Sequence, residues 1–236
     1  MNDADWLRLD APFMENDMDG PAHGPLWRIE ARERPLLFTA VHPVGHRRPG
    51  VERKSAEAHT GGLARVVAAS LGASAATVWR SPGKLDANVD PAHPLKAALR
   101  AAGLVGPGVA VIDLHGMTDA HPADVAVGRG PDPQRSSTLA GLVVAAFEEH
   151  GFDVDPDGAR SGLYGSGHGT VTTFAQQYGA AAVQLEIARR NRTFLSGEER
   201  RRRLLAAFAS LGRRLEELVD PAAGARGQAG WVPTSR

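Results

Sequence analysis

The sequence contains no cysteine among its 236 residues, which excludes disulfide bonds and thiolate chemistry. A transition metal would therefore be bound by histidine, aspartate and glutamate, and nine histidines are present. Net charge is also lacking, since 27 lysines and arginines balance 27 aspartates and glutamates. Binding to nucleic acid depends on a strong positive field. We therefore expect no nucleic-acid partner.

Long apolar runs are absent, because no run approaches the roughly 18 residues that span a bilayer. The first ten residues, MNDADWLRLD, are acidic and polar, unlike a signal peptide. These two absences predict a cytoplasmic protein without a membrane partner. The length is ample for a substantial core in one large domain.

The composition divides the chain into three parts. Residues 1–26 carry many turn signals and little periodicity, which predicts an arm anchored by Trp6 and Phe13. Residues 27–219 contain the periodic segments and are expected to form a single α/β domain. Residues 220–236 are rich in proline, glycine and alanine, which predicts a loosely held tail.

Apolar runs and helical periodicity alternate along the central part. The predicted strands are 27–33, 36–42, 75–79, 109–116, 124–128 and 182–187. The predicted helices are 56–71, 93–102, 137–150, one ending near residue 178 and one reaching about residue 218. Strands that alternate with helices predict a three-layer α/β sandwich.

The segment VAVIDLHG, residues 109–116, is the most informative of the predicted strands. It is apolar up to its end, where Asp113 and His115 occur. These two residues lie on one face, because side chains two apart in a strand point the same way. In open α/β sheets, ligands bind beyond the carboxyl ends of the strands. This pair therefore marks a candidate site.

Two further apolar strands end in a polar residue of similar chemistry, so the three strand ends carry His42, His115 and Glu186. Zinc hydrolases use three nitrogen or oxygen ligands from the protein and leave a fourth position for water. A nearby carboxylate then moves the protons. We expect the third ligand in the region after His42, where Glu52 and Glu57 are the candidates.

The order of five segments resembles that of the N-formylglutamate amidohydrolases. The segments are VHPVGHRRPG, SAEAH, VIDLHGMTDAHPADVAVGRG, GHGTVTTFAQQYG and AVQLEIARR. The resemblance covers about residues 36–195. It implies the fold of the zinc carboxypeptidases, a mixed sheet flanked by helices, with one zinc ion. It also implies hydrolysis of an N-acyl or amide bond beside a carboxylate.

The resemblance implies a role for individual residues. His42, Glu57 and His115 correspond to the metal ligands, and Glu186 corresponds to the general base and acid. The family has serine and glycine after the first histidine where this chain has Pro43-Val44-Gly45-His46. His46 therefore remains a rival to His42, as Glu52 remains a rival to Glu57.

Substrate contacts are expected from a second group of residues. The resemblance places Asp124 and Arg129 at a polar loop on the substrate side. His168 and Thr170 lie at a predicted helix start, where free backbone N–H groups suit an anion. The alternative for these residues is helix capping and loop structure. Arg189 is preferred over Arg190 as the partner of a substrate carboxylate, because neighbouring residues of a continuing strand point to opposite faces.

The sequence thus predicts a zinc-dependent amidohydrolase whose substrate is a small molecule or peptide that bears a carboxylate. One alternative is a metallocarboxypeptidase or tailoring hydrolase that acts on a larger peptide. Another is a catalytically degenerate protein that keeps the fold and binds a carboxylate ligand or a partner protein.

Overall fold

The structure, a computed structural model, describes residues 1–48, 51–158 and 169–219. The described residues form nine strands: β1 (Trp27–Glu30), β2 (Leu36–Ala40), β3 (His46–Arg48), β4 (Val51–Lys54), β5 (Ser74–Val78), β6 (Ala110–Met117), β7 (Val125–Gly128), β8 (Val154–Asp155) and β9 (Ala181–Ala188). Within the same ranges there are eight helices: α1 (Asp3–Asp10), α2 (Glu15–Met18), α3 (Thr60–Ser70), α4 (Pro94–Ala101), α5 (Ser137–Glu149), α6 (Val171–Gln177), α7 (Arg189–Arg192) and α8 (Glu198–Val219). Two short 3₁₀ turns, Ala11–Met14 and Phe194–Ser196, accompany them.

Seven strands form one mixed sheet in the order β1-β5-β2-β6-β9-β7-β8, and β3 pairs with β4 in a separate hairpin. The four central strands β5, β2, β6 and β9 are parallel to one another. The edge strand β1 is antiparallel to β5, and β7 is antiparallel to β9. The carboxyl ends of the central strands therefore meet at one edge of the sheet.

Helices cover both faces of this sheet. The apolar side chains of α3, α5 and α8 form one core cluster with one face, and those of α4 and α6 form a second cluster with the other. The predicted three-layer α/β sandwich with a mixed sheet is thereby confirmed.

The two faces of the central strands differ in chemistry. In β6, Ile112 and Leu114 point into the first cluster, whereas Asp113 and His115 point to the other face and are almost fully buried. In β9, Glu186 follows the same alternation and lies directly opposite His115 in the parallel register. Alternation therefore brings these polar groups together on one face, as the sequence predicts.

The N-terminal segment packs closely on the start of α3. Trp6 and Phe13 are fully buried. A side chain at Gly61 would lie 2.6 Å from Phe13, and the backbone N–H of Gly62 donates to Asp10 Oδ1 at 3.0 Å. The paired glycines are therefore required by this close approach, although each weakens a helix interior by about 1 kcal/mol.

The predicted helix over 56–71 is wrong at its beginning. The helix starts at Thr60, and His59 before it has a left-handed backbone with φ 70°. Trp6 donates its indole N–H to the His59 carbonyl, which ties this turn to the N-terminal segment. The other predicted elements agree with the structure to within a few residues, whereas β3, β4, β8 and α1 lacked a sequence signal. In the described part of the chain, no helix is both long and apolar enough to cross a membrane.

Candidate metal centre

Three histidine and glutamate side chains converge at the carboxyl edge of the sheet. His42 follows β2, His115 is in β6, and Glu57 lies in the turn before α3. Glu57 Oε1 lies 3.0 Å from His42 Nδ1, and Glu57 Oε2 lies 2.9 Å from His115 Nδ1. The Gly116 N–H also donates to Glu57 Oε2, at 3.0 Å, so the carboxylate is fixed between the two rings.

The second nitrogen of each ring faces another buried carboxylate. His42 Nε2 lies 2.8 Å from Asp86 Oδ1, and His115 Nε2 lies 3.1 Å from Asp113 Oδ2. Because an ionised carboxylate can only accept hydrogen bonds, each Nε2 donates its hydrogen to its aspartate. Such carboxylate–histidine pairs are what fixes the tautomer and ring orientation of metal-ligating histidines.

A metal ion bound at the two Nδ1 atoms would require both rings to keep their hydrogen on Nε2, where each aspartate accepts it. Burial opposes ionisation of Glu57, but His115 and His42 outweigh it and hold the Glu57 pKa well below its usual value. Burial also disfavours charge on His115, but Glu57 and Asp113 raise the His115 pKa well above normal. The cluster therefore attracts a positive charge between Glu57 and the two Nδ1 atoms.

The donor set fits a metal ion. The three donor atoms lie within 4.8 Å of one another, and all are of the nitrogen and oxygen types that zinc accepts. Donors about 2.1 Å from a tetrahedral ion are separated by about 3.4 Å, close to the Glu57–histidine distances of 3.0 and 2.9 Å. A cation already approaches this position, since Lys54 Nζ lies 2.9 Å from Glu57 Oε1 and 3.2 Å from His42 Nδ1.

A second group of possible metal-binding residues lies on the other side of the His42 ring. His42, His46 and Asp86 also bring three donor atoms within 4.8 Å. The two imidazoles are stacked, with ring centroids 4.4 Å apart, and His46 Nε2 lies 3.1 Å from Asp86 Oδ2. Burial opposes ionisation of Asp86, but both histidines lower its pKa, so this carboxylate accepts a hydrogen from each ring.

Glu186 lies next to the centre on the neighbouring strand. It is opposite His115 in the register of β6 and β9, and Gln184 Nε2 donates to its Oε1 at 2.9 Å. Burial raises the pKa of Glu186, and Glu57 adds to this effect while His115 opposes it. A carboxyl group with a raised pKa is suited to accept and return a proton.

A cavity of about 690 Å³ opens onto Glu57. Glu57, Gly116, Arg189 and Arg192 are among its lining residues. The strand does not continue through Arg189, because β9 ends at Ala188 and α7 begins. Helical spacing places Arg189 and Arg192 three positions apart on one side. Arg190 instead donates from Nε to Asp124 Oδ1 at 2.9 Å.

Among the predicted substrate residues that the structure describes, Asp124, Arg129 and Thr170 do not line this cavity. Asp124 accepts hydrogen bonds from Arg190 and Asn191, and Arg129 pairs with Asp157 at 3.0 Å. Thr170 caps α6 by accepting from the Thr173 N–H. His168 and the side chain of Glu52 lie outside the described part of the structure.

Three residues of the centre were missed by sequence reasoning. Asp86 follows β5, and its signal is topological, because β5 is parallel to β2 and its carboxyl end lies at the same edge. No pattern in the sequence distinguishes Lys54 or Arg192 from the residues around it. Only the folded chain brings them to Glu57.

The fold and the site together define an α/β protein with a buried histidine–glutamate–histidine candidate metal centre at the carboxyl edge of its sheet. Neither a protein-family model nor a curated protein matches the sequence. Solved structures do match its fold. The N-formylglutamate amidohydrolase of Ralstonia eutropha JMP134 aligns with a TM-score of 0.57 at 15% identity, over 80% of this chain and 97% of that one.

Two other solved structures are similar in fold. A bacteriophage poly-γ-glutamate hydrolase aligns with a TM-score of 0.54 at 17% identity, over 84% of this chain and 92% of that one. A gene product of Agrobacterium tumefaciens gives a TM-score of 0.54 at 18% identity, over 84% and 97%. The chain therefore has the fold of N-formylglutamate amidohydrolase, as the sequence resemblance implies.

Proposed function

We propose that this protein is a zinc-dependent amidohydrolase that cleaves an N-acyl or peptide-like amide close to a carboxylate. The observation that carries the proposal is the convergence of two histidine Nδ1 atoms on Glu57, with both Nε2 atoms bound to buried aspartates. This arrangement supplies three ligands and leaves one side open to a cavity, which is the pattern of a catalytic rather than a structural zinc site.

The side chains of the site have separate roles in the proposed reaction. His42, Glu57 and His115 would hold the ion. Zinc would supply a Lewis acid that polarises the amide carbonyl and lowers the pKa of a water molecule. Glu186, partly buried and with a raised pKa, would take a proton from the attacking water and return it to the leaving nitrogen.

The substrate class follows from the charge of the cavity. Arg189 and Arg192 both line it and add positive charge, and the exposed guanidinium of Arg189 is suited to bind a carboxylate through paired hydrogen bonds. Two proteins of similar fold are named for hydrolysis of glutamate-derived amides, N-formylglutamate and poly-γ-glutamate. We therefore favour an N-acyl amino acid, or a γ-linked or peptide-like amide, with a free carboxylate near the scissile bond.

The test combines metal content with hydrolysis by the same preparation. Protein purified without chelators should contain about one equivalent of zinc and hydrolyse N-formyl-L-glutamate or poly-γ-glutamate faster than the corresponding neutral amides. Dialysis against a chelator should abolish the activity, and zinc should restore it. Failure to bind zinc even after reconstitution would contradict the proposal and favour a binding protein.

A further inference from the structure

Arg192 is an almost fully buried arginine at the end of α7, with 4% of its surface exposed. Its Nε donates to the carbonyl of Ile187 at 3.1 Å, and its Nη1 donates to the carbonyl of Ala58. Ile187 follows Glu186 in the chain, and Ala58 follows Glu57. One guanidinium therefore links the backbone beside the proposed base to the backbone beside the proposed ligand.

A third contact joins the same guanidinium to β6. A Cβ atom at Gly116 would overlap the guanidinium group of Arg192, so the arginine lies directly against the backbone of this glycine. Gly116 follows His115, and its N–H donates to Glu57 Oε2. Only glycine permits this close approach, because any side chain would occupy the volume of the arginine.

The helical turn α7 that contains Arg192 is itself held in place. Asn191 Nδ2 donates to Asp124 Oδ1 at 2.9 Å, and Arg190 donates to the same oxygen. These bonds fix α7 against the loop before β7. The Arg192 guanidinium therefore extends from a fixed turn and contacts the backbone at Ile187, Ala58 and Gly116.

Resting on the proposed function, we propose that Arg192 is a positioning residue that fixes Glu57, His115 and Glu186 relative to one another. It acts through its contacts with the backbone of the next residue in each case, namely Ala58, Gly116 and Ile187. Loss of the guanidinium would leave the carbonyls of Ile187 and Ala58 without their charged donor, which frees both backbone segments to shift. Lysine has a single terminal nitrogen on a flexible stem and cannot reproduce the planar, two-armed contact.

The primary experiment measures zinc affinity by chelator competition in Arg192→Lys and Arg192→Met. We expect dissociation constants to rise by about 10- to 100-fold, the usual effect of removing a group that orients metal ligands, with a smaller rise for lysine. Arg201→Met is the matched control. Arg201 is also buried and binds a backbone carbonyl, that of Phe194, together with Asp3. Its variant should lose stability but keep wild-type zinc affinity.

A double-mutant cycle keeps the inference falsifiable if single variants fold poorly. Gly116→Ala should weaken zinc binding because its methyl group displaces the guanidinium. In an Arg192→Ala background the same change should cost little more, so the two losses should be strongly non-additive. Additive losses, or a folded Arg192→Met protein with wild-type zinc affinity, would overturn the inference.

Failure of the Arg192 inference can be distinguished from failure of the proposed function. A wild-type protein that binds no zinc refutes the proposed function. The Gly116–Arg192 cycle would then be measured by thermal unfolding, where additive changes would still overturn the contact. Zinc binding that is equal in wild-type and both Arg192 variants refutes the inference alone.

Discussion

The two sides of the His42 ring contain the same kinds of residue but differ in what surrounds their carboxylates. On the Nε2 side, Asp86 accepts from His42 and His46, so one ionised carboxylate meets two N–H donors. On the Nδ1 side, Glu57 lies between the Nδ1 atoms of His42 and His115 and also accepts from Lys54. The raised pKa of His115 and the approach of Lys54 show that the Glu57 carboxylate attracts positive charge to this side.

The neighbours of the two sides differ further. Glu57 borders the cavity of about 690 Å³ that Arg189 and Arg192 also line, and Glu186 lies opposite His115 on the next strand. His46 borders a cavity of similar volume, about 680 Å³, whose lining includes Asp19 and Arg47. The comparison teaches that a cluster of potential ligands is not by itself a catalytic metal site. The arginines and the second carboxylate beside Glu57 distinguish its side as the proposed catalytic one.

The largest expected effect sharpens the role of the Nδ1 side. Glu186→Gln keeps the shape of the side chain and removes the base, so turnover should fall by about 10²- to 10⁴-fold. Zinc content should change little, because Glu186 is outside the donor set. Zinc stoichiometry and kcat measured on one preparation check both statements, and retained turnover would remove Glu186 from the mechanism.

The second prediction compares how variants on the two sides of the His42 ring affect zinc binding. Glu57→Gln should weaken zinc binding by more than the roughly 100-fold that loss of a supporting group costs, because it removes a ligand. His46→Gln should weaken it by less than about tenfold, since His46 stacks on the His42 ring and shares Asp86 with it but is outside the proposed ligand set. Competition with a chelator measures both constants. The reverse order would place the ion on the Nε2 side.

The third prediction concerns the support that Asp86 gives to His42. Asp86→Asn should raise the zinc dissociation constant by about 10- to 100-fold, since the amide no longer fixes the Nε2–H tautomer. Asp3→Asn is the matched control, because Asp3 is a partly buried carboxylate that pairs with Arg201 and lies outside the candidate centre. Equal effects of the two variants would mean that Asp86 acts only through stability.

The smallest expected effect has the opposite sign. Lys54→Met should tighten zinc binding by about tenfold, because the ammonium competes for Glu57 and a charge-assisted hydrogen bond contributes about 1.5 kcal/mol. Arg53→Met removes a neighbouring charge that pairs instead with Asp17 and Asp19, and should leave the affinity unchanged. Weaker binding in Lys54→Met would show that lysine supports the centre.

The layers of the fold and the main strand-end residues were predictable because short-range rules govern them. Strand alternation places Asp113 and His115 on one face, and parallel strands bring His42 and Glu186 to the same edge. Sequence patterns express these periodicities directly. The resemblance to N-formylglutamate amidohydrolases added Glu57, and the structure brings it to both histidines.

The remaining parts depend on contacts between segments far apart in the chain. The helix predicted from residue 56 begins later because Trp6 and Asp10 pack on its first turn. Arg189 and Arg192 lie together because β9 stops at Ala188 and a helical turn follows. Neither event leaves a periodic signal in the sequence, since tertiary packing overrides the local preference.

The most direct test of the central claim is to locate zinc in crystals of the metal-loaded protein by anomalous scattering at the zinc absorption edge. The account predicts one strong peak about 2.0–2.2 Å from His42 Nδ1, His115 Nδ1 and a Glu57 oxygen. A peak between His42 Nε2, His46 and Asp86, with none beside Glu57, would contradict it.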